Sequence, residues 1–108
     1  QVTVPIIELS YVPGDIEIIV QTPLVMSSIR KPPIIDFYST TKIDDIVVSV
    51  GNTEYKANTT DGHSFSIEMS KRTRANTYTA DVYAGGTMIA TGLEFRVEKE
   101  GFRSNDIL

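Results

Sequence analysis

The chain of 108 residues has no cysteine, no tryptophan and a single histidine. Without cysteine it can form neither a disulfide framework nor a thiolate metal site, and it has no thiol nucleophile. No apolar run approaches the roughly 20 residues that a membrane-spanning helix needs, so we expect no membrane span. The net charge of −4 argues against a nucleic-acid partner, because phosphate binding requires a concentrated positive field.

The length is sufficient for one domain with a hydrophobic core. A chain of this size buries roughly two-thirds of the surface that its unfolded form exposes, so a core can form without a covalent brace. The chain begins at Gln1 without methionine and has no signal-peptide pattern, so we expect a processed chain or a piece of a longer one. We place the domain at residues 1–98 and interpret residues 99–108 as a C-terminal tail or interdomain linker.

The clearest strand pattern lies between residues 64 and 97. Apolar and polar residues alternate around Phe65 and Ile67, and again from Tyr78 to Ala84, with the period of a strand buried on one face. A third strand follows the glycine pair at residues 85–86. These three strands require an opposing layer from the earlier part of the chain.

The last of these strands changes phase along its length. Met88 and Ala90 share one parity, whereas Leu93 and the apolar residues after it share the other. We therefore expect Met88 and Ala90 to face inward, and one extra residue to be absorbed near Thr91-Gly92, where glycine favours a β-bulge.

The earlier part of the chain supplies further short strands. They are predicted at residues 2–9, 15–22, 34–39, 45–50 and 53–58. Pro5 cannot donate to a ladder, so it indicates an edge strand or a place where a strand changes sheets. Residues 23–33 are predicted to be irregular and to cap one end of the core, with a contact loop as the alternative. The pattern predicts an all-β fold of seven or eight short strands in a two-sheet sandwich, without helices.

Four segments resemble immunoglobulin-like domains. Residues 75–80 are similar to the Ala-Gly-Thr-Tyr-x-Cys of that family, with Tyr78 at the tyrosine and Ala80 at the second cysteine. Residues 14–20 resemble strand B, with Val20 at the first cysteine, and Phe37 stands where strand C usually has tryptophan. Phe65 and Ile67 have the spacing of the aliphatic-x-aliphatic pair of strand E.

The resemblance spans residues 2–98 and implies antiparallel strands in a Greek key. It further implies that Val20 and Ala80 face each other in place of a disulfide, and that the Tyr78 hydroxyl bonds the backbone of the preceding turn as in a tyrosine corner. Both cysteines are absent and Phe37 replaces tryptophan, which bears on the subclass. Cysteine-free versions occur in intracellular arrays and in bacterial and bacteriophage surface proteins.

Candidate catalytic residues surround the only histidine. His63 follows the turn at residues 61–62, and a Ser/His/Asp arrangement would use Ser64 or Ser66 as its nucleophile. Such a triad requires a sheltered base held by a third group. Because the hairpin tip is expected to be exposed, we predict no enzyme activity.

Other charged groups give weak indications of a site. Asp44 and Asp45 would bind Ca²⁺ only if Asp15 or Asp61 joined them, and adjacent carboxylates in turns are usually solvated, so we predict no metal and no cofactor. The basic residues 71–74, with residues 30–31, are interpreted as solvated turns, or alternatively as a patch for an acidic partner.

A candidate interaction face follows from the strand parities. If the strand of Phe37 lies beside the last two strands, its outward residues and theirs share one surface rich in residue types favoured at interfaces. The predicted interaction residues are Tyr38, Asp81, Tyr83, Ile89 and Arg96. The partner is expected to be another protein or a neighbouring domain of the same chain.

The function expected from these features is that of a non-catalytic immunoglobulin-like module that spaces or docks partners in a larger protein or assembly. A surface or virion component, such as a phage decoration, tail or adhesin domain, is favoured over an intracellular array of the muscle type. The alternative is a sandwich that binds carbohydrate or another ligand, and carbohydrate binding would depend on Tyr38 and Tyr83.

Overall fold

The computed structural model describes residues 16–100, and these residues form eight strands and no helix. The strands are β1 (Ile18–Val20), β2 (Leu24–Ser27), β3 (Ile34–Ser39), β4 (Ile46–Val50), β5 (Thr53–Ala57), β6 (Ser64–Glu68), β7 (Asn76–Ala84) and β8 (Thr87–Lys99). The all-β prediction is confirmed. The predicted strand over residues 2–9, the residue Pro5 within it and most of the predicted tail lie outside the described residues.

The strands form two sheets around one hydrophobic core, an arrangement that fits a β-sandwich. One sheet has three strands in the order β1-β3-β6, and the other has five in the order β2-β8-β7-β4-β5. Pairing is antiparallel except between β2 and β8, which run parallel. The expectation of antiparallel pairing throughout is therefore wrong at β2.

The core is built from the inward-facing residues of both sheets, as the period of two requires. Phe37 of β3 and Phe65 of β6 lie at its centre, with ring centroids 5.2 Å apart and planes 9° from parallel. Of the predicted structural residues, Phe37, Ile67 and Ala80 are buried, while Val20 and Tyr78 are partly buried and pack against the same cluster. Burial of each large apolar side chain contributes about 1.5–3 kcal/mol.

The chain changes sheets between β1 and β2, at Thr22-Pro23. Proline has no N–H to donate to a ladder, which suits this position, and the Pro23 carbonyl accepts a hydrogen bond from the Arg96 N–H at 2.8 Å. Towards the three-stranded sheet, the Thr22 Oγ1 accepts a hydrogen bond from the N–H of Asp36 in β3, at 2.9 Å. Residues 24–27, predicted to be irregular, are thus the edge strand β2, whose alternate residues Val25 and Ser27 are buried.

The position of β3 differs from the prediction. We expected the strand of Phe37 to lie beside β7 and β8, but β3 pairs with β1 and β6, and β4 lies beside β7 instead. Alternation predicts which side chains face inward, but it does not predict a strand's neighbours, and β3 and β4 carry the same alternating pattern. The predicted interaction surface therefore could not form as one face.

The hairpin of β7 and β8 contains two irregularities. The predicted bulge at Thr91-Gly92 is confirmed, since β8 has one extra residue there and Gly92 has a φ of +69°. A second extra residue, Ile89, lies between Met88, which pairs with Tyr83, and the next paired residue. Because of this second bulge, Ile89 faces the core and is 3% exposed, whereas Met88 is exposed. The predictions that Met88 faces inward and Ile89 outward were wrong.

Candidate functional site

The outer face of the five-stranded sheet carries most of the predicted interaction residues. Asp81 and Tyr83 of β7 alternate with buried alanine and valine, so they point outward, and Arg96 of β8 is exposed on the same face. Tyr38 lies on β3 in the three-stranded sheet, and Ile89 is buried. Three of the five predicted residues therefore share a surface, which we call the outer face.

The outer face also includes residues that sequence reasoning missed. Val47 of β4 pairs with Tyr83 on one side and with Lys56 of β5 on the other, and Tyr83 pairs in turn with Met88. One row across four strands thus presents aromatic, aliphatic and charged side chains. Their outward parity was readable from the sequence, but the row appears only once β4 is known to lie beside β7.

A small cavity of about 260 Å³ opens on the outer face beside Tyr83. Val47 and Gly86 line it together with the acidic residues Asp45 and Glu54. Asp45 has a φ of +51°, a conformation that Asp tolerates better than most residues, and its carbonyl accepts the Gly85 N–H at 3.0 Å. Two carboxylates next to an aromatic ring suit a cationic side chain, through charge-assisted hydrogen bonds and a cation–π contact.

Asp81 and Arg96 already have partners within the outer face. The Thr91 hydroxyl donates to the Asp81 Oδ1 at 2.7 Å and the Gly92 N–H donates to the same atom at 3.1 Å. These hydrogen bonds, chiefly that of Thr91, lower the pKa of Asp81. Arg96 donates from Nε to the carboxylate of Glu98 and from a terminal nitrogen to a threonine hydroxyl at 3.0 Å. Asp81 therefore stabilises the bulge, and the half-buried Tyr83 is the remaining candidate for a partner contact.

The residues considered for catalysis do not form a triad. The Asp61 Oδ1 accepts the backbone N–H groups of His63 at 2.8 Å and Ser64 at 2.9 Å. These bonds, with that of Ser64 the larger, lower the pKa of Asp61. The His63 Nδ1 bonds the Ser39 carbonyl at 2.9 Å, and since a carbonyl only accepts, Nδ1 carries the proton. The carboxylate therefore caps a turn and does not orient the imidazole.

The other candidate nucleophile, Ser66, is bonded to a carboxylate that is not part of the proposed triad. The Ser66 hydroxyl donates to the Asp36 Oδ1 at 2.6 Å, on the surface of the three-stranded sheet. Among residues 16–100, no group of three or more His, Cys, Asp or Glu side chains is placed to hold a metal ion. Asp15, considered for a Ca²⁺ site, lies outside the described range. The same part of the chain contains no helix that is long and apolar enough to cross a membrane.

A wider cleft of about 760 Å³ lies where the edges of β5 and β6 approach, joined by the bridge between Asn58 and Ser66. Its charged lining residues are of both signs. Its aromatic lining comes from Tyr55 and from Phe37 and Phe65, which are buried in the core. The cleft therefore lacks the exposed row of rings on which sugars stack.

These features define a class: an all-β domain of two sheets around one core, with a mixed aromatic, aliphatic and charged face on the larger sheet. The chain belongs to the family described as Domain of unknown function (DUF7862), whose model matches residues 16–100. No curated protein and no solved structure matches the chain.

Proposed function

We propose that this chain is a non-catalytic immunoglobulin-like module that docks a protein partner through its outer face. The strand orders support the immunoglobulin-like assignment. If β1 and β2 are the two halves of a split first strand, β3 and β6 become strands B and E. The larger sheet then contains strands G, F, C and C′ in the order β8-β7-β4-β5, as in the variable type of this fold.

A tyrosine corner supports the same assignment. The Tyr78 hydroxyl, near the start of β7, donates to the Arg74 carbonyl at 2.6 Å, and the ring stacks on Phe95 with centroids 5.7 Å apart. This is the expected position of such a corner at the start of strand F. The assignment moves the first-cysteine position from Val20 to Phe37, because β3 and not β1 is then strand B. Apolar packing of Phe37 replaces the disulfide in this scheme.

The docking role rests on the row through Tyr83 and the cavity beside it. Tyr and Met are enriched in interface cores, and the exposed Met88 lies next to Tyr83 in register. Asp45 and Glu54 add two carboxylates at the cavity, so the partner is expected to present a basic side chain there. The absence of an assembled catalytic group in the described residues leaves protein docking as the role that this geometry supports best.

A matched pair of tyrosine substitutions tests the docking face. We expect Tyr83→Ala to abolish cross-linked capture of the partner. Tyr38→Ala should leave capture intact, because Tyr38 lies on the other sheet, and it is a matched control because both tyrosines are half-buried. Capture would be measured with a photo-cross-linker at the exposed Lys56, followed by mass spectrometry. Equal capture by both variants, or loss only with Tyr38→Ala, would contradict the proposal.

Carbohydrate binding receives less support from the same geometry. Tyr38 and Tyr83 lie on different sheets, so they cannot form the single stacking row that the alternative requires. We expect a glycan array to remain flat. Placement of the module in a surface or virion assembly, rather than in an intracellular array, rests on composition and stays a prediction.

A further inference from the structure

Exposed apolar side chains concentrate at one seam of the molecule. Leu24 and Met26 of β2, Ile29 in the following turn and Ile34 at the start of β3 are all exposed, and Ile29 reaches 87%. A monomer normally scatters such residues singly, whereas contiguous ones indicate an interaction surface. We call this surface, bounded by β2 and the start of β3, the β2 seam.

β2 pairs with β8 along one edge, and its other edge has no strand partner within the described residues. The carbonyls of Pro23 and Ser27 accept hydrogen bonds from the N–H groups of Arg96 at 2.8 Å and Glu100 at 2.7 Å, so these alternate positions face β8. In a parallel ladder the intervening residues direct their backbone groups the opposite way. Leu24 and Met26 therefore present N–H and C=O groups to a strand that is not supplied by residues 16–100.

A groove follows this edge. It encloses about 210 Å³ between Leu24 and Met26 on one wall and Pro32 and Ile34 on the other, with Lys31 at one end. This volume is below the roughly 300–1,000 Å³ of small-molecule sites and suits one or two inserted side chains. The groove is therefore shaped for a peptide segment.

The charge at the end of the groove indicates the occupant. Ser28 and Lys31 exchange backbone hydrogen bonds of 2.9 and 3.2 Å, which hold a tight turn that carries the exposed cations Arg30 and Lys31. A partner with a carboxylate at this point would gain a complementary contact.

We propose that an extended, acidic segment of a partner protein adds to the free edge of β2 as a further strand. Its backbone pairs with Leu24 and Met26, an apolar side chain enters the groove, and a carboxylate lies beside Arg30 and Lys31. Main-chain pairing provides affinity in such strand addition, while alternate side chains provide specificity. Leu24 and Met26 lie beside Arg96 and Glu98, in rows of the sheet other than the row through Tyr83 and Met88, so Tyr83→Ala leaves this contact intact.

Amide hydrogen exchange on the isotope-labelled chain tests the pairing directly. The probe is the synthetic peptide acetyl-Thr-Val-Thr-Ile-Thr-Asp-Asp-amide, at about ten times its Kd. We expect exchange at the Leu24 and Met26 amides to slow about tenfold, since protection follows 1 + [L]/Kd, while that of Val25 changes little. A control peptide, N-methylated at alternate residues, leaves both rates unchanged. Unchanged rates with the unmodified peptide, measured up to its solubility limit, would overturn the proposal.

Two further comparisons locate the contact and its charge preference. Met26→Gln is expected to weaken peptide binding by tenfold or more, whereas Ile19→Gln, at the equally exposed residue of the other sheet (43% against 42%), leaves it unchanged. Replacing both peptide aspartates by asparagine should weaken binding and remove its salt dependence. An acidic partner segment at this edge would be contradicted by equal effects of the two protein variants or by no effect of the peptide change. It would also be contradicted by a dimer that Met26→Gln abolishes.

Discussion

The two sides of the sandwich are closed in different ways. On one side, the edge strands β5 and β6 are joined by the bridge between Asn58 and Ser66, and a hydrogen-bonded turn connects them. On the other side, the chain changes sheets at Pro23, so β1 and β2 each cover part of a different sheet. We call these the bridged side and the seam side.

This difference between the two sides suggests that the bridged side serves stability and the seam side serves recognition. Unpaired strand edges attract other chains, so proteins usually cover them or place charges on them. On the bridged side, the two edges are joined at Asn58 and Ser66 and by the turn that follows β5. The seam side instead keeps exposed apolar residues and two cations beside an unpaired edge. We therefore expect substitutions near the bridged side and core to change folding, and substitutions at the seam to change binding.

The largest expected effect comes from the centre of the core. Phe37→Ala removes a fully buried ring stacked on Phe65, and we expect it to lower the free energy of unfolding by about 3–5 kcal/mol. Leu24→Ala at the seam should change it by less than about 0.5 kcal/mol, because the side chain is exposed. Urea denaturation measures both. Similar losses in the two variants would remove the distinction between core and seam.

A smaller effect is expected at the turn that leads from β6 to β7 and so connects the two sheets. Tyr78→Phe removes the hydroxyl that donates to the Arg74 carbonyl, and we expect a loss of about 1 kcal/mol in the free energy of unfolding. Tyr38→Phe, the same change on the other sheet, serves as the control. An unchanged denaturation midpoint for Tyr78→Phe would mean that the corner contributes little to holding this connection.

On the seam side, a substitution where the chain changes sheets should lower the free energy of unfolding by as much as Tyr78→Phe or slightly less. Thr22→Val keeps the shape of the side chain but removes the acceptor for the Asp36 N–H, so we expect a loss of about 0.5–1.5 kcal/mol. Thr79→Val on the exposed face of β7 is the matched control. If the two variants had equal stability, the crossing at Pro23 would not depend on this hydrogen bond.

Sequence reasoning could recover the strands and the core, because alternation records which side chains avoid water. Phe37 and Ile67 were predicted as core residues and are buried. Alternation carries no information on neighbours, so β3 was assigned to the wrong sheet. The second bulge was not predicted. Ile89 is its extra, unpaired residue, and it faces inward only because the bulge occurs there. The Thr91-Gly92 bulge was found because glycine marks it.

In the candidate site too, some residues could be identified from local sequence properties, whereas others depend on strand pairing. Tyr83 was recognised by its residue type and outward parity, which are local properties. The carboxylates of Asp45 and Glu54 come to the same cavity from a turn and from β5, and only the pairing of β4 with both β5 and β7 places them there. Residues 23–33 were predicted to cap one end of the core, with a contact loop as the alternative, and the unpaired edge of β2 depends on its parallel pairing with β8.

The smallest expected effect is a pH dependence on the bridged side. Asp61 caps the turn between β5 and β6, and its hydrogen bonds with the backbone of Ser64 and His63 lower its pKa from the ordinary 3.8. The unfolded chain therefore takes up a proton first as the pH falls. The stabilisation is complete above the unfolded pKa and is lost as the pH falls through the lower folded value.

Denaturation of the chain and of Asp61→Asn between pH 6 and pH 2.5 measures this contribution. We expect the stability difference between the two to be constant above about pH 5 and to shrink as the pH falls below the ordinary carboxyl pKa. Glu94→Gln removes an equal charge from the exposed face of β8 and serves as the control. If the Asp61→Asn difference stayed constant to pH 2.5, the turn on the bridged side would be held by the Thr59 hydroxyl bond to Gly62, at 2.8 Å, and not by the carboxylate.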